Sequence, residues 1–136
     1  MSKADRGAAA VELAIVLPLL FLVMAGIVDF GRAFFAQIEL ANAAREGARA
    51  AVVLPLGSTP APSTEVAARV SAALPGISNA TVTATYCPSG NGSSKATVAV
   101  SRPFQWIVLG PAMRLFGPTW AGPTNLSATG VMQCGG

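Results

Sequence analysis

From Ala8 to Val28 every residue is apolar or glycine except Glu12. The run is about 20 residues, long enough to cross a hydrocarbon core of about 30 Å as a helix. Beyond it the helical period persists. Phe30, Phe34, Ile38, Ala41, Ala44 and Ala48 recur at steps of three or four and mark one helical face. Asp29 with Arg32, and Glu46 with Arg49, are i,i+3 pairs expected on the outer face. The stretch Leu40–Ala51 is rich in alanine, the best helix former, and Pro55 and Gly57 end the pattern. The prediction is one helix over about 8–53, about 70 Å long. Pro18 lies inside it, removes one helical hydrogen bond and is expected to kink the rod. In a membrane, neighbouring helices or side chains can satisfy the freed carbonyl.

Residues 54–63 carry Pro55, Pro60 and Pro62 and read as a linker. Thr64 is then a plausible N-cap for a short helix, Glu65 to Leu74, stopped by Pro75-Gly76, with Val66, Arg69/Val70 and Ala73/Leu74 as its buried stripe. After that the period changes to two. Thr81–Cys87 and Ala96–Arg102 alternate as half-buried strands do, and the polar loop Pro88–Ser94 between them makes a hairpin. Asn125–Cys134 is a third strand. The expected class is α+β and pilin-like: a long N-terminal helix, then a short helix and a small antiparallel sheet of about three strands in a head over 64–136. Between strands two and three, Pro103–Trp120 is oily and holds both tryptophans, Trp106 and Trp120, but is too interrupted to span a bilayer. Contact with lipid, contact with a neighbouring subunit and a local hydrophobic cluster on the sheet all suit it.

Charged residues make up 11% of the 136 and hydrophobic residues 52%. Mean hydropathy is +0.55, which fits a membrane-anchored chain better than a free cytosolic one. The net charge of +3 is spread singly, from Lys3 and Arg6 through Arg32, Arg45, Arg49, Arg69, Lys95 and Arg102 to Arg114. No basic cluster points to nucleic acid. Lys3 and Arg6 before the apolar run favour a cytoplasmic N-terminus and an extracytoplasmic head. A cleaved secretory signal has the same polarity. It needs small residues just after its core, however, and here the core runs into bulky Asp29–Ala36. A retained, single-pass anchor over 8–28 is the better reading.

Histidine is absent, so the commonest metal ligand and acid–base catalyst is missing. No serine sits in a G-x-S-x-G elbow, and no P-loop, dinucleotide fingerprint or paired-carboxylate spacing occurs. No cofactor is implied and catalysis is not expected. The two cysteines, Cys87 and Cys134, leave three options: two thiols, half a metal site or one disulfide. Zinc lacks ligands here, and an exported domain makes the disulfide the default.

Glu12 is the residue that most needs explaining, because a carboxylate in hydrocarbon is expensive and is a functional hypothesis by default. A cut after Gly7 would make Glu12 the fifth residue of a chain beginning at Ala8, whose new amine could pair with it. Otherwise Glu12 merely snorkels to the interface near a helix start or neutralises itself. Arg6-Gly7 followed by Ala-Ala-Ala-Val-Glu12-Leu-Ala and a proline-containing apolar run resembles the TadE-like family of pilin-related proteins of tight-adherence (Flp-type) pilus systems. Ala43–Ala51 also resembles that family's helix end. The resemblance implies a leader over 1–7, removed by a prepilin peptidase between Gly7 and Ala8. It also makes Glu12 the acidic residue needed for processing or assembly. Other pilin subunits and a pilus assembly platform in the inner membrane are the implied partners, with the mature chain also reaching a cell-surface pilus. Leu13 stands where major subunits typically carry tyrosine, and the chain is longer than theirs, so a minor subunit is implied. Two other readings share the topology: a membrane-anchored binding or envelope protein that never polymerises, and a pseudopilin of a type II-like secretion system.

Overall fold

The computed structural model describes residues 3–54, 62–87, 94–114, 117 and 122–134. The first element, α1, spans Lys3–Val53 with Pro18 inside it. It therefore starts ahead of Ala8. Nothing in Lys3-Ala-Asp-Arg6 breaks a helix, and one glycine at Gly7, costing about 1 kcal/mol relative to alanine, does not stop a rod of this length. The second helix, α2, spans Pro62–Ala72. Thr64 is thus inside the first turn rather than capping it. Pro62 opens the helix instead, where its missing N–H costs nothing and its fixed φ is already helical. The linker 54–63 correspondingly gives up Pro62 and Ser63, and 55–61 lie outside the described residues. After α2 the chain turns through Gly76, whose φ of +82° suits glycine.

Three strands follow: β1 (Thr81–Thr85), β2 (Lys95–Phe104) and β3 (Thr124–Gln133), with a six-residue helix α3 (Leu109–Arg114) before the last. The sheet order is β1-β2-β3 and both pairings are antiparallel, Thr83 opposite Ala99 and Val98 opposite Gly130. The α+β class with a three-stranded antiparallel sheet is therefore as expected. The predicted strand ends shift by one to two residues. Pro103 is tolerated in the central strand because it lies past Ser101, the last β2 residue paired with β1, so β2 has one neighbour there.

By internal contacts the chain divides into two compact units: residues 1–33 with 105–122, and residues 34–104 with 123–136. The second unit holds the core. It is built from Leu40, Ala43, Ala44, Ala48 and Ala51 of α1, Val66, Val70 and Leu74 around α2, and Ala96, Val98 and Val100 of β2. Val66, Val70 and Leu74 were the expected stripe of the short helix. Arg69 is not part of it: its guanidinium is turned outward and pairs with Glu65 at 3.1 Å.

The buried face of α1 differs from the one its period suggests. Phe34 and Ile38 are 69% and 59% exposed, whereas Ala36, Leu40, Ala43 and Gly47 join Ala44 and Ala48 inside. The reason is steric. A Cβ on Gly47 would lie 2.7 Å from Val70 Cγ2 and 3.0 Å from Val98 Cγ1. Helix and sheet approach too closely for aromatic rings, so the small residues choose the face.

The expected disulfide is present: Cys87 and Cys134 are joined at 1.97 Å, with Cα atoms 5.8 Å apart. Each cysteine follows the end of an outer strand, and the Cys134 N–H donates to the Ser94 carbonyl at 2.9 Å. The bond thus links β1 to β3 past the start of β2.

Candidate functional site

Gly7, Ala8 and Glu12 lie on consecutive turns of α1, and all three are exposed. Ala8 and Glu12 are four residues apart, so they share one helix face. The main-chain nitrogen of Ala8 is here an ordinary amide inside the helix. At Gly7, an added Cβ would find no described atom within 4 Å outside its own helix backbone. Packing within the subunit therefore does not call for glycine at this position. Pro18 sits within the same continuous helix.

The stretch around these residues is the one candidate membrane span among the described residues. Its most apolar 18-residue window has a mean hydropathy of 2.6, and none of it is buried. Leu13, Ile15, Leu19, Phe21 and Ile27 each expose more than 60% of their surface. A helix that is apolar all round and uncovered is at home in lipid or in a bundle of similar helices. The chain thus has an N-terminal apolar helix that fits a single-pass membrane anchor.

Immediately after Val28 the same unit contains an arrangement the sequence reading missed. The i,i+3 spacing predicts Asp29 as a surface partner of Arg32. It does meet Arg32, at 3.3 Å, yet its side chain is fully buried. Its carboxylate accepts three backbone N–H groups: Ile107 on Oδ1 at 3.2 Å, and Val108 and Leu109 on Oδ2 at 2.9 and 2.8 Å. These are amides at the entry to α3 that have no partner within that helix, so a side chain from α1 caps a helix almost 80 residues away. Burial alone would push the carboxyl up. The N–H groups of Leu109, Val108 and Ile107, together with the Arg32 guanidinium, outweigh it and hold Asp29 below the ordinary aspartate value. Beside this cap the Phe30 and Trp106 rings meet edge to face, with centroids 5.4 Å apart at 65°. So Trp106 belongs to a local cluster with α1, and Trp120 lies outside the described residues.

The signal for Asp29 was available in part. It is the first polar residue after sixteen apolar or glycine positions (13–28), and Trp106–Leu109 is an apolar stretch that opens a helix without a Ser, Thr, Asp or Asn of its own to cap it. What pairs the two is tertiary placement, which no local pattern contains.

Elsewhere on α1, Asn42, Arg45, Glu46 and Arg49 behave as a solvated face. Arg49 meets Glu46 at 3.8 Å and Arg45 donates to Asn42 at 2.6 Å, both exposed and worth little individually. Among the described residues no group of three or more Cys, Asp or Glu is placed to hold a metal.

No curated protein and no solved structure matches this chain. A family model does: residues 7–49, from Gly7 to within the Ala-rich end of α1, match the model described as TadE-like protein. The resemblance carried by Arg6–Leu13 and Ala43–Ala51 is borne out over the N-terminal helix, where the chain is similar to TadE-like proteins.

Proposed function

We propose that the chain is a structural minor pilin of a tight-adherence (Flp-type) pilus. In this reading it is made with a short leader over 1–7 and cut between Gly7 and Ala8 by a prepilin peptidase. It is anchored through 8–28 with its head outside the inner membrane, then passed by an assembly platform into a fibre with other pilin subunits. The observation that carries the proposal is the TadE-like match over 7–49, which supports association with tight-adherence pilus systems. The uncovered apolar helix supports the assembly step. When subunits leave the membrane, those faces bury against one another. At about 25 cal/mol per Å², a few hundred Å² per contact contributes several kcal/mol before ordering costs. Ala9, Ala10, Ala14, Ala25 and Gly26 let helices approach closely.

Glu12 gives the assembly its register. Its carboxylate meets the new amine of Ala8 on a neighbouring subunit, because an unpaired charge inside such a bundle is strongly disfavoured. The role is structural rather than catalytic. Contribution to pilus initiation or adhesion follows from a minor subunit's place in a fibre.

The test is the mass of the mature N-terminus, from the native host with its peptidase present. A chain beginning at Ala8 supports the proposal. A chain that keeps Lys3 and Arg6 favours a static membrane-anchored envelope protein, and cleavage beyond Val28 makes the head a secreted domain. A pseudopilin of a secretion system is cut in the same way and is separated from a pilin by its absence from sheared fibres.

A further inference from the structure

Ile107 and Val108 are 60% and 42% exposed, yet their backbone is held in place by a buried carboxylate. Asp29 directly follows Val28, the last residue of the apolar run. Within one compact unit, therefore, the apolar pair is fixed less than a helical turn beyond the end of the span. The segment also has the feature that water-poor surroundings demand. Peptide N–H groups at membrane depth must be satisfied by protein, and those of Ile107, Val108 and Leu109 all are. Reciprocally, the Asp29 charge is enclosed by its own donors and Arg32 rather than left facing lipid. Trp106, half-buried on Phe30, adds the residue type that favours the headgroup level of a bilayer.

We propose that Trp106–Val108 is a second membrane contact. Asp29 clips this segment to the outer end of the span so that Ile107 and Val108 enter the boundary between headgroups and acyl chains of the outer leaflet. The occupant of the exposed apolar surface is the bilayer itself, argued from its continuity with the span. The inference rests on reading Ala8–Val28 as membrane-spanning, and its test must separate the two.

The experiment places the full-length chain in phosphatidylethanolamine–phosphatidylglycerol vesicles containing lipids brominated at shallow or deep acyl positions. Trp120→Phe leaves Trp106 as the reporter. A second chain, Trp106→Phe/Trp120→Phe/Leu19→Trp, reports the span. The expected result is quenching of Trp106 by shallow bromines more than deep ones, with Leu19→Trp quenched by deep bromines. Adding Asp29→Ala to the Trp106 reporter should abolish the shallow quenching while the span reporter carrying the same change stays quenched. Trp106 unquenched in a chain whose span reporter is quenched overturns the lipid contact. So does protection of Trp106 that appears only at high protein-to-lipid ratio, which assigns the surface to a second copy. Absence of quenching at both positions overturns the membrane-span reading and this contact with it.

Discussion

Gly130 of β3 lies directly against the backbone of Ala44 in α1: a Cβ at Gly130 would run into the Ala44 carbonyl. The obstacle is main chain, not a side chain that can rotate away. Helix and sheet meet here with no room for a side chain on β3, glycine on one side and the Ala44 main chain on the other.

Gly130→Ala is therefore expected to destabilise the second unit by about 3 kcal/mol or more, at or above the upper end of overpacking costs. Gly26→Ala, where an added Cβ meets nothing, is expected to be neutral or to stabilise by up to about 1 kcal/mol. Chemical unfolding of the full-length protein in detergent, followed by circular dichroism, distinguishes the two. Equal effects would show that the Gly130 contact is not what sets the helix–sheet distance.

Asp29→Ala leaves three amides without their acceptor, at a cost of about 1–3 kcal/mol each if they stay buried. The expected outcome is faster amide hydrogen exchange at Ile107, Val108 and Leu109, with exchange in β2 unchanged. Unaltered protection at those three amides would mean the cap is dispensable.

The same carboxylate predicts a pH dependence. Its folded value is lowered, so the fold favours the ionised form. The stabilisation is complete above the ordinary aspartate value, about 4, and is lost as pH falls through the lower folded value. Protection of Ile107–Leu109 should be flat through neutral pH and decline only in acid below the usual aspartate range. A decline between pH 5 and 7 would contradict the assignment.

Reducing the Cys87–Cys134 bond, or replacing both cysteines by serine, should cost about 2–5 kcal/mol, the usual range for a small disulfide-closed domain. The loss should appear as a lower unfolding midpoint for the second unit, measured by near-UV circular dichroism. No shift would mean the sheet and α2 alone supply the stability.

If the proposed processing holds, Gly7→Leu is expected to block removal of residues 1–7, because an added Cβ at Gly7 meets nothing in the fold that the change would disturb. Glu12→Ala is expected to leave the chain in the membrane and to remove it from sheared fibres. Immunoblots of membrane and shear fractions separate the two effects. Incorporation of the Glu12→Ala chain at wild-type level would end the register role.

The elements were legible because each has a local cause. An apolar run of membrane length, alternation in β2 and two cysteines without a plausible metal partner set are properties of neighbouring residues. The Arg6–Leu13 motif was legible for the same reason, and the family match over 7–49 agrees with it. What the sequence hid depends on distance between elements. Phe34 and Ile38 keep the right period for a buried face, yet the approach of Val70 and Val98 to Gly47 reserves that face for small residues. Thr64 has the chemistry of a cap, but Pro62 had already begun the helix. Asp29 formed an obvious i,i+3 pair with Arg32, which concealed that most of its hydrogen bonds go to residues 107–109.

The crosslink between Cys87 and Cys134 has a mechanical consequence for a chain whose N-terminal helix fits a membrane anchor. The bond spans 47 positions of sequence that cannot be drawn out by a pull on either terminus while it is intact. At about 3.3–3.6 Å per extended residue, that is roughly 160 Å of chain withheld from stretching. All of β2, α3 and β3 lies within the withheld length. Tension entering through α1 can peel α1 and α2 from the sheet, but it cannot unravel the loop from the C-terminal end, and the head keeps its reach under load.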